Sequence, residues 1–182
     1  MIILHAFAPA AAQIRQQATW QRLEQLRRHG RHIVIDWPTH GAQSYGDAIA
    51  WCWNRSEQLC LLEHDLVPEL EHLVRLELCP HPICMQAYQL HEATVGSTVP
   101  VYAFRVLRDD GTLRWGFEGE EFADYFSLGC TRFRMLAMSR LASWSAPDAE
   151  SWQYLDHWLA RASRVAGVRA HIHWPAIQHN HF

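Results

Sequence analysis

Short apolar runs alternate with segments of helical spacing along the first 80 residues. Ile2 to Phe7 reads as a buried strand. Ala10 to His29 carries Ile14, Ala18, Leu23 and Leu26 at helical intervals and stops at Gly30. His32 to Asp36 is a second apolar strand, closed by a loop from Pro38 to Gly41. Ser44 can cap a helix from about Tyr45 to Arg55. Leu59-Cys60-Leu61-Leu62 is a third buried strand, ending in Glu63-His64-Asp65. Pro68 stands at the start of a helix carried by Leu70, Leu73, Leu76 and Leu78. This β-α-β-α-β-α order predicts a mostly parallel sheet with helices on both faces. Ligands gather at the carboxyl ends of strands in such sheets, where Asp36 and the Glu-His-Asp triplet lie.

Beyond residue 80 the pattern changes. Ile83–Leu90 and Val99–Leu107 read as strands, and Asp109-Asp110-Gly111 turns the chain into a returning strand, Thr112 to Phe117. Gly116 to Gly129 is polar and aromatic. Gly129 to Phe133 leads into a helix ending near Ser143. Asp148 can cap another from Ala149 to Val165, stopped by Gly167. In the tail His171 and His173 share a strand face, and His179 and His181 follow a bend at Pro175.

Composition sharpens this reading. The length, 182 residues, fits one domain. Every basic residue is Arg, which excludes Schiff-base, pyridoxal-phosphate and Walker-type lysine chemistry. A net charge of -3 gives no bulk attraction to nucleic acid or an anionic membrane. No apolar run reaches a membrane span, and the start lacks the basic region of a signal peptide. Five cysteines without a dense framework point to a reducing cytoplasm. The 13 histidines stand out, and four fall in the last twelve residues.

Carboxylates leaving a buried strand suit Mg²⁺ or Mn²⁺, and imidazoles suit Mn²⁺ or Zn²⁺. The string His179-Asn180-His181 does not read as an HNH nuclease signature, whose residues are dispersed through a ββα-metal unit. Cys79-Pro80-His81-Pro82-Ile83-Cys84 is either a loop with buried thiols or half of a zinc site completed from elsewhere. Trp51 and Trp53 read as core, and Trp115, Phe117, Tyr125 and Phe126 as a stacking platform. Arg105, Arg108, Arg114, Arg132, Arg134 and Arg140 are either solvated or a path for a polyanion such as DNA.

In their order, these motifs resemble a GT-A fold nucleotide-sugar glycosyltransferase, family 2-like, in a small, phage-type version. Tyr45 to Trp51 resembles the helix that feeds the Asp-x-Asp strand. Leu61-Leu62-Glu63-His64-Asp65 stands where that motif would be. Leu128 to Phe133 resembles the Gly-rich acceptor segment, and Trp152 to Leu159 the acidic helix start, with Leu155 in place of Glu. Gly167, Pro175 and His179 resemble the closing Gly, Pro and His. The resemblance implies a Rossmann-like domain over 1–182, with a nucleotide-binding half (1–80) and an acceptor half with a metal-ligand tail (81–182). It implies metal held by Asp65 and His179, with His173 or His171 competing for the late position. Phe7, Asp36, Asp47 and Glu63 would face the donor, Trp115, Glu121, Gly129 and Arg132 the acceptor, and Asp156 would be the general base. The implied cofactors are Mn²⁺ or Mg²⁺ and a nucleoside-diphosphate sugar, UDP-linked by preference. The acceptor is a DNA base, a glycan or a small molecule. Two other classes stay open: a metal-dependent hydrolase or nuclease built on the His-rich tail, and a non-catalytic nucleotide-sugar-binding module.

Overall fold

A computed structural model describes residues 1–7, 18–30, 32–38, 42–53, 55, 57–90, 100–134 and 152–179. The expected elements of the first half form. Strands β1 (Ile2–Phe7), β2 (Ile33–Pro38) and β3 (Gln58–Glu63) lie parallel, with β1 between the other two. Helices α1 (Ala18–His29) and α2 (Ala42–Trp53) connect them. Ser44 lies inside α2 and is not its cap, since the helix begins at Ala42. The proposed start of α1 at Ala10 falls outside the described residues.

A short strand, β4 (Leu66–Val67), follows the Glu-His-Asp turn and precedes α3 (Leu70–Leu78). Strand β5 (Ile83–Tyr88) comes next, then β6 (Tyr102–Leu107) and β7 (Leu113–Gly116). The last two form the expected hairpin, turned by Gly111 at a φ of 82° that L side chains rarely adopt. Two-residue strands β8 (Phe122–Ala123) and β9 (Tyr125–Phe126) cross the polar aromatic segment.

The largest departure follows Gly129. Cys130–Arg134 is not a lead-in to a helix but a strand, β10, antiparallel between β3 and β5. Its run of four buried residues is what a central strand requires. Helix α4 (Trp152–Val165) follows, and Gly167 turns the chain into β11 (Ala170–His179). The sheet runs β2-β1-β3-β10-β5-β11-β4, with β8 also against β11. Strands β1, β2, β3, β5 and β11 share one direction. Strands β7, β6 and β9 form a separate antiparallel sheet.

Period-2 alternation sends side chains to two cores. Ile2, Leu4 and Ala6 point toward Ala48 and Ile49 of α2 and Leu155 and Leu159 of α4. Ile3, Cys60 and Leu62 point toward Leu23 and Leu26 of α1 and Leu73 and Leu76 of α3. Each fully buried Leu contributes roughly 1.5–3 kcal/mol. The helices therefore cover both faces and leave the carboxyl ends of β1, β3, β5 and β11 to form a rim. Among the described residues no helix is long and apolar enough to cross a membrane.

Candidate active site

A cavity of about 440 Å³ opens at that rim. Its polar floor comes from three separate stretches: Glu63 at the end of β3 with Asp65 just beyond it, Asp156 in α4, and His179 at the end of β11. The chain reverses at His64 and Asp65 and returns as β4, which pairs with the end of β11 in a register that sets His179 opposite Leu66. That register is why residues 114 positions apart meet. The His179 Nε2 lies 3.1 Å from Asp65 Oδ2, and its Nδ1 lies 3.3 Å from the Gln89 carbonyl.

The electrostatics favour a cation. Burial raises the Glu63 carboxyl well above its usual range, and the charges of Asp156 and Asp65 raise it further. Burial pushes Asp156 up to about 8, although the Leu128 N–H donates a hydrogen bond to it. Asp65 behaves differently. Burial would raise it, but the His179 hydrogen bond and the His179 and His64 charges hold it below the usual value. Burial opposes protonation of His179, yet the bond to Asp65 and that carboxylate's charge raise its pKa. Asp65 Oδ1 is buried with no hydrogen-bond partner among the described residues. An orphaned buried carboxylate oxygen is costly unless something else meets it.

Tyr88 and Ser127 complete the floor. The tyrosine hydroxyl and the serine hydroxyl share a hydrogen bond, and the Tyr88 ring meets the His179 ring edge-on at 5.3 Å. Burial, with Glu63 next, raises the Tyr88 phenol well above its ordinary value. Sequence reasoning missed both residues, since a Tyr in an apolar strand and a Ser in a loop carry no spacing signal. The aromatic wall is formed by Trp115, Tyr125 and Phe126 of the small sheet, with Arg105 stacked 4.2 Å above the Trp115 ring.

The structure thus brings together Glu63, Asp65, Asp156 and His179 with Trp115, Tyr125 and Phe126. It places the other expected residues elsewhere. His173 does not compete for the Asp65 site. It faces Cys79, Cys84 and His171 near the start of β5, and burial, with the His171 charge next, pushes it down to about 4. Arg132 is fully buried and cannot meet an acceptor. Its guanidinium donates to the carbonyls of Leu76, Cys79 and His81 and so closes the carboxyl end of α3. Gly129 is buried, and a Cβ there would come within 2.6 Å of Leu66 and the Tyr88 hydroxyl, so it lets the floor pack closely and presents no acceptor surface. Glu121 is exposed outside the cavity, where its carbonyl accepts from the Ile172 N–H. Asp36 is held by His5 Nδ1 at 2.9 Å and by Arg27, away from the cavity. Phe7 ends β1 beside His5, with ring centroids 5.6 Å apart, and Asp47 is exposed on α2.

Three further expectations change. Trp51 is exposed, with Arg55 over its ring, and is not core. The arginines do not form one path: Arg105, Arg108 and Arg114 line a groove on the small sheet, Arg132 is interior, and Arg140 falls outside the described residues. Cys79 and Cys84 are joined as a disulfide, where buried thiols or half of a zinc site were expected. His181 and Asp148 also fall outside the described residues.

No family model and no curated protein sequence matches the chain. Solved structures do. Over all of this chain and 86% of the other, the crystal structure of A197 from STIV superposes with a TM-score of 0.57 at 14% identity. Over all of this chain and 72% of the other, a Drosophila β1,4-galactosyltransferase 7 mutant superposes with a TM-score of 0.56 at 8% identity. That structure is a complex with manganese, UDP-Gal and xylobiose. At such identities the likeness concerns architecture, and the architecture of this chain is a GT-A-like α/β fold.

Proposed function

We propose that this protein is a metal-dependent glycosyltransferase, moving a sugar from a nucleoside-diphosphate donor to an acceptor hydroxyl with inversion. The observation that carries the reading is the convergence of Glu63, Asp65, Asp156 and His179 on one cavity at the carboxyl-end rim of a GT-A-like sheet. A galactosyltransferase of similar fold is complexed with manganese and UDP-Gal, which supports extending metal and nucleotide-sugar use to this chain.

The residues fit a divalent cation. The orphaned Asp65 Oδ1 and the adjacent His179 imidazole are a hard and a borderline donor in one place, which suits Mn²⁺ or Mg²⁺. Asp65 and His179 would hold the ion, and Glu63 would support it directly or through water. When bound, the ion supplies positive charge to the leaving diphosphate.

The remaining work falls to side chains. Asp156 accepts the acceptor's hydroxyl proton on its carboxylate, and the Leu128 N–H holds the other side of that group. A carboxyl titrating near 8 is a strong base once ionised, but ionisation limits the fraction ready at neutral pH. Trp115 and Tyr125 give flat apolar faces on which a sugar ring stacks. Arg105, over Trp115, offers hydrogen bonds to acceptor oxygens. The described histidines of the tail separate into two groups, His179 with Asp65 and His171 with His173.

The test is turnover. Wild-type protein with Mn²⁺ and a panel of UDP-sugars should release UDP when offered glycan or hydroxymethylated-base acceptors. Asp156→Asn should keep donor binding and abolish release. Binding without transfer to any acceptor would make the chain a non-catalytic nucleotide-sugar module. Full activity in Asp156→Asn would remove the base assignment.

A further inference from the structure

Cys79, Cys84, His171 and His173 each offer one ligand atom, and all four atoms lie within 4.8 Å of one another. Cys79 ends α3 as its C-cap, Cys84 is the second residue of β5, and the histidines stand two apart on β11, with His171 in register with Cys84. Both histidines therefore face the side that carries the Cys84 sulfur. We propose that, with both cysteines as thiols, these four residues form a closed Cys₂His₂ zinc site that ties the end of α3 to β5 and β11.

Four observations support it. The donor set is the one tetrahedral structural zinc selects, with no position left for water. At ordinary zinc–ligand bond lengths the donors stand roughly 3.3–3.8 Å apart; the histidine donors lie within 4.8 Å of both sulfurs, and the sulfurs, bonded here, separate on reduction. His173 Nε2 is buried with no hydrogen-bond partner among the described residues, while Gln86 Nε2 donates to the His173 carbonyl at 3.0 Å and orients its backbone. Arg132 donates to Cys84 Sγ at 3.0 Å, as expected beside a thiolate.

The cysteines are a disulfide in the structure, but their Cα atoms stand 7.0 Å apart, wider than most disulfides span. Zinc binding by the thiols releases two protons and transfers no electrons. A chain isolated as the disulfide must first take two electrons from an added reductant. The site stands apart from the proposed donor cavity: Cys84 is the second residue of β5, whereas Tyr88, four residues on, lines that cavity.

The test is native mass spectrometry of the full chain, purified in a phosphine reductant and offered Zn²⁺. Wild type and Asp65→Asn should each carry one tightly held zinc, whereas Cys84→Ser and His173→Gln should lose it. Co²⁺ substitution should give the visible absorption of tetrahedral thiolate coordination, which reads the wild-type chain even if a variant fails to fold. Folded, reduced wild type without zinc, or Cys84→Ser retaining it, would overturn the proposal. Loss of zinc in Asp65→Asn with retention in Cys84→Ser would also overturn it, by placing the ion in the active-site cavity.

Discussion

Replacing Asp156 by Asn should stabilise the protein while it abolishes transfer. Burial moves this carboxyl from 3.8 to about 8. An acid raised on folding costs no stability below its unfolded value, costs more as pH rises between the two values, and levels off above the folded one. At pH 7 linkage sets an upper limit of about 4 kcal/mol. Because Glu63 shares the site's titration, about 2–4 kcal/mol is the fair expectation. Asn carries no charge and can still accept the Leu128 N–H through its Oδ1. For a chain of this size the gain corresponds to a melting temperature raised by roughly 5–15 °C at pH 8. It should vanish near pH 4, where both proteins are neutral at this position. Differential scanning calorimetry across pH 4–9, without divalent ions, measures it directly. A pH-independent difference, or a variant less stable than wild type at pH 8, would refute the argument that Asp156 is held ionisable against its own burial.

Other perturbations give separate readouts. His179→Gln removes an ion pair that contributes about 1 kcal/mol when both partners are charged. Wild type's advantage in denaturant titrations should fall as pH rises through the elevated His179 pKa, and again as pH drops through the depressed Asp65 pKa. Gly129→Ala drives a methyl against Leu66 and the Tyr88 hydroxyl, costing about 1–3 kcal/mol in urea unfolding and lowering kcat through the displaced floor. Arg132→Leu leaves the Leu76, Cys79 and His81 carbonyls without their donor and should lower stability by about 3 kcal/mol or more by the same method. Truncation after Gln178 removes His179 and should abolish metal-dependent donor binding with little change in far-UV circular dichroism.

The first half was legible because its pattern is local. The runs around Ile3 and Leu61 are buried strands, and the run around Ile35 is a half-buried edge strand beside them. The pairing of His179 with Asp65 was readable only through the resemblance, since it depends on the β4–β11 register. Strand β10 was misread because a Gly followed by Cys, Thr, Arg and Phe suits a helix entry as well as a strand. Its strand state comes from neighbours β3 and β5, to which it contributes the buried Arg132. Arg132 also shows why polarity misled: an Arg in a middle segment reads as surface, yet the Leu76, Cys79 and His81 carbonyls at and just beyond the end of α3 can hold it inside. His173 went astray for a related reason. Its strand face was right, but that face meets the Cys79–Cys84 loop and not the acidic turn.

The central claim is that Asp65 and His179 hold a divalent ion on which a nucleoside diphosphate depends. Isothermal titration of UDP into wild type and Asp65→Asn, with and without Mn²⁺, tests it most directly. The expected result is binding to wild type that needs Mn²⁺ and is lost in Asp65→Asn. Equal UDP binding with and without the metal, or unchanged Mn²⁺-dependent binding in Asp65→Asn, would contradict it.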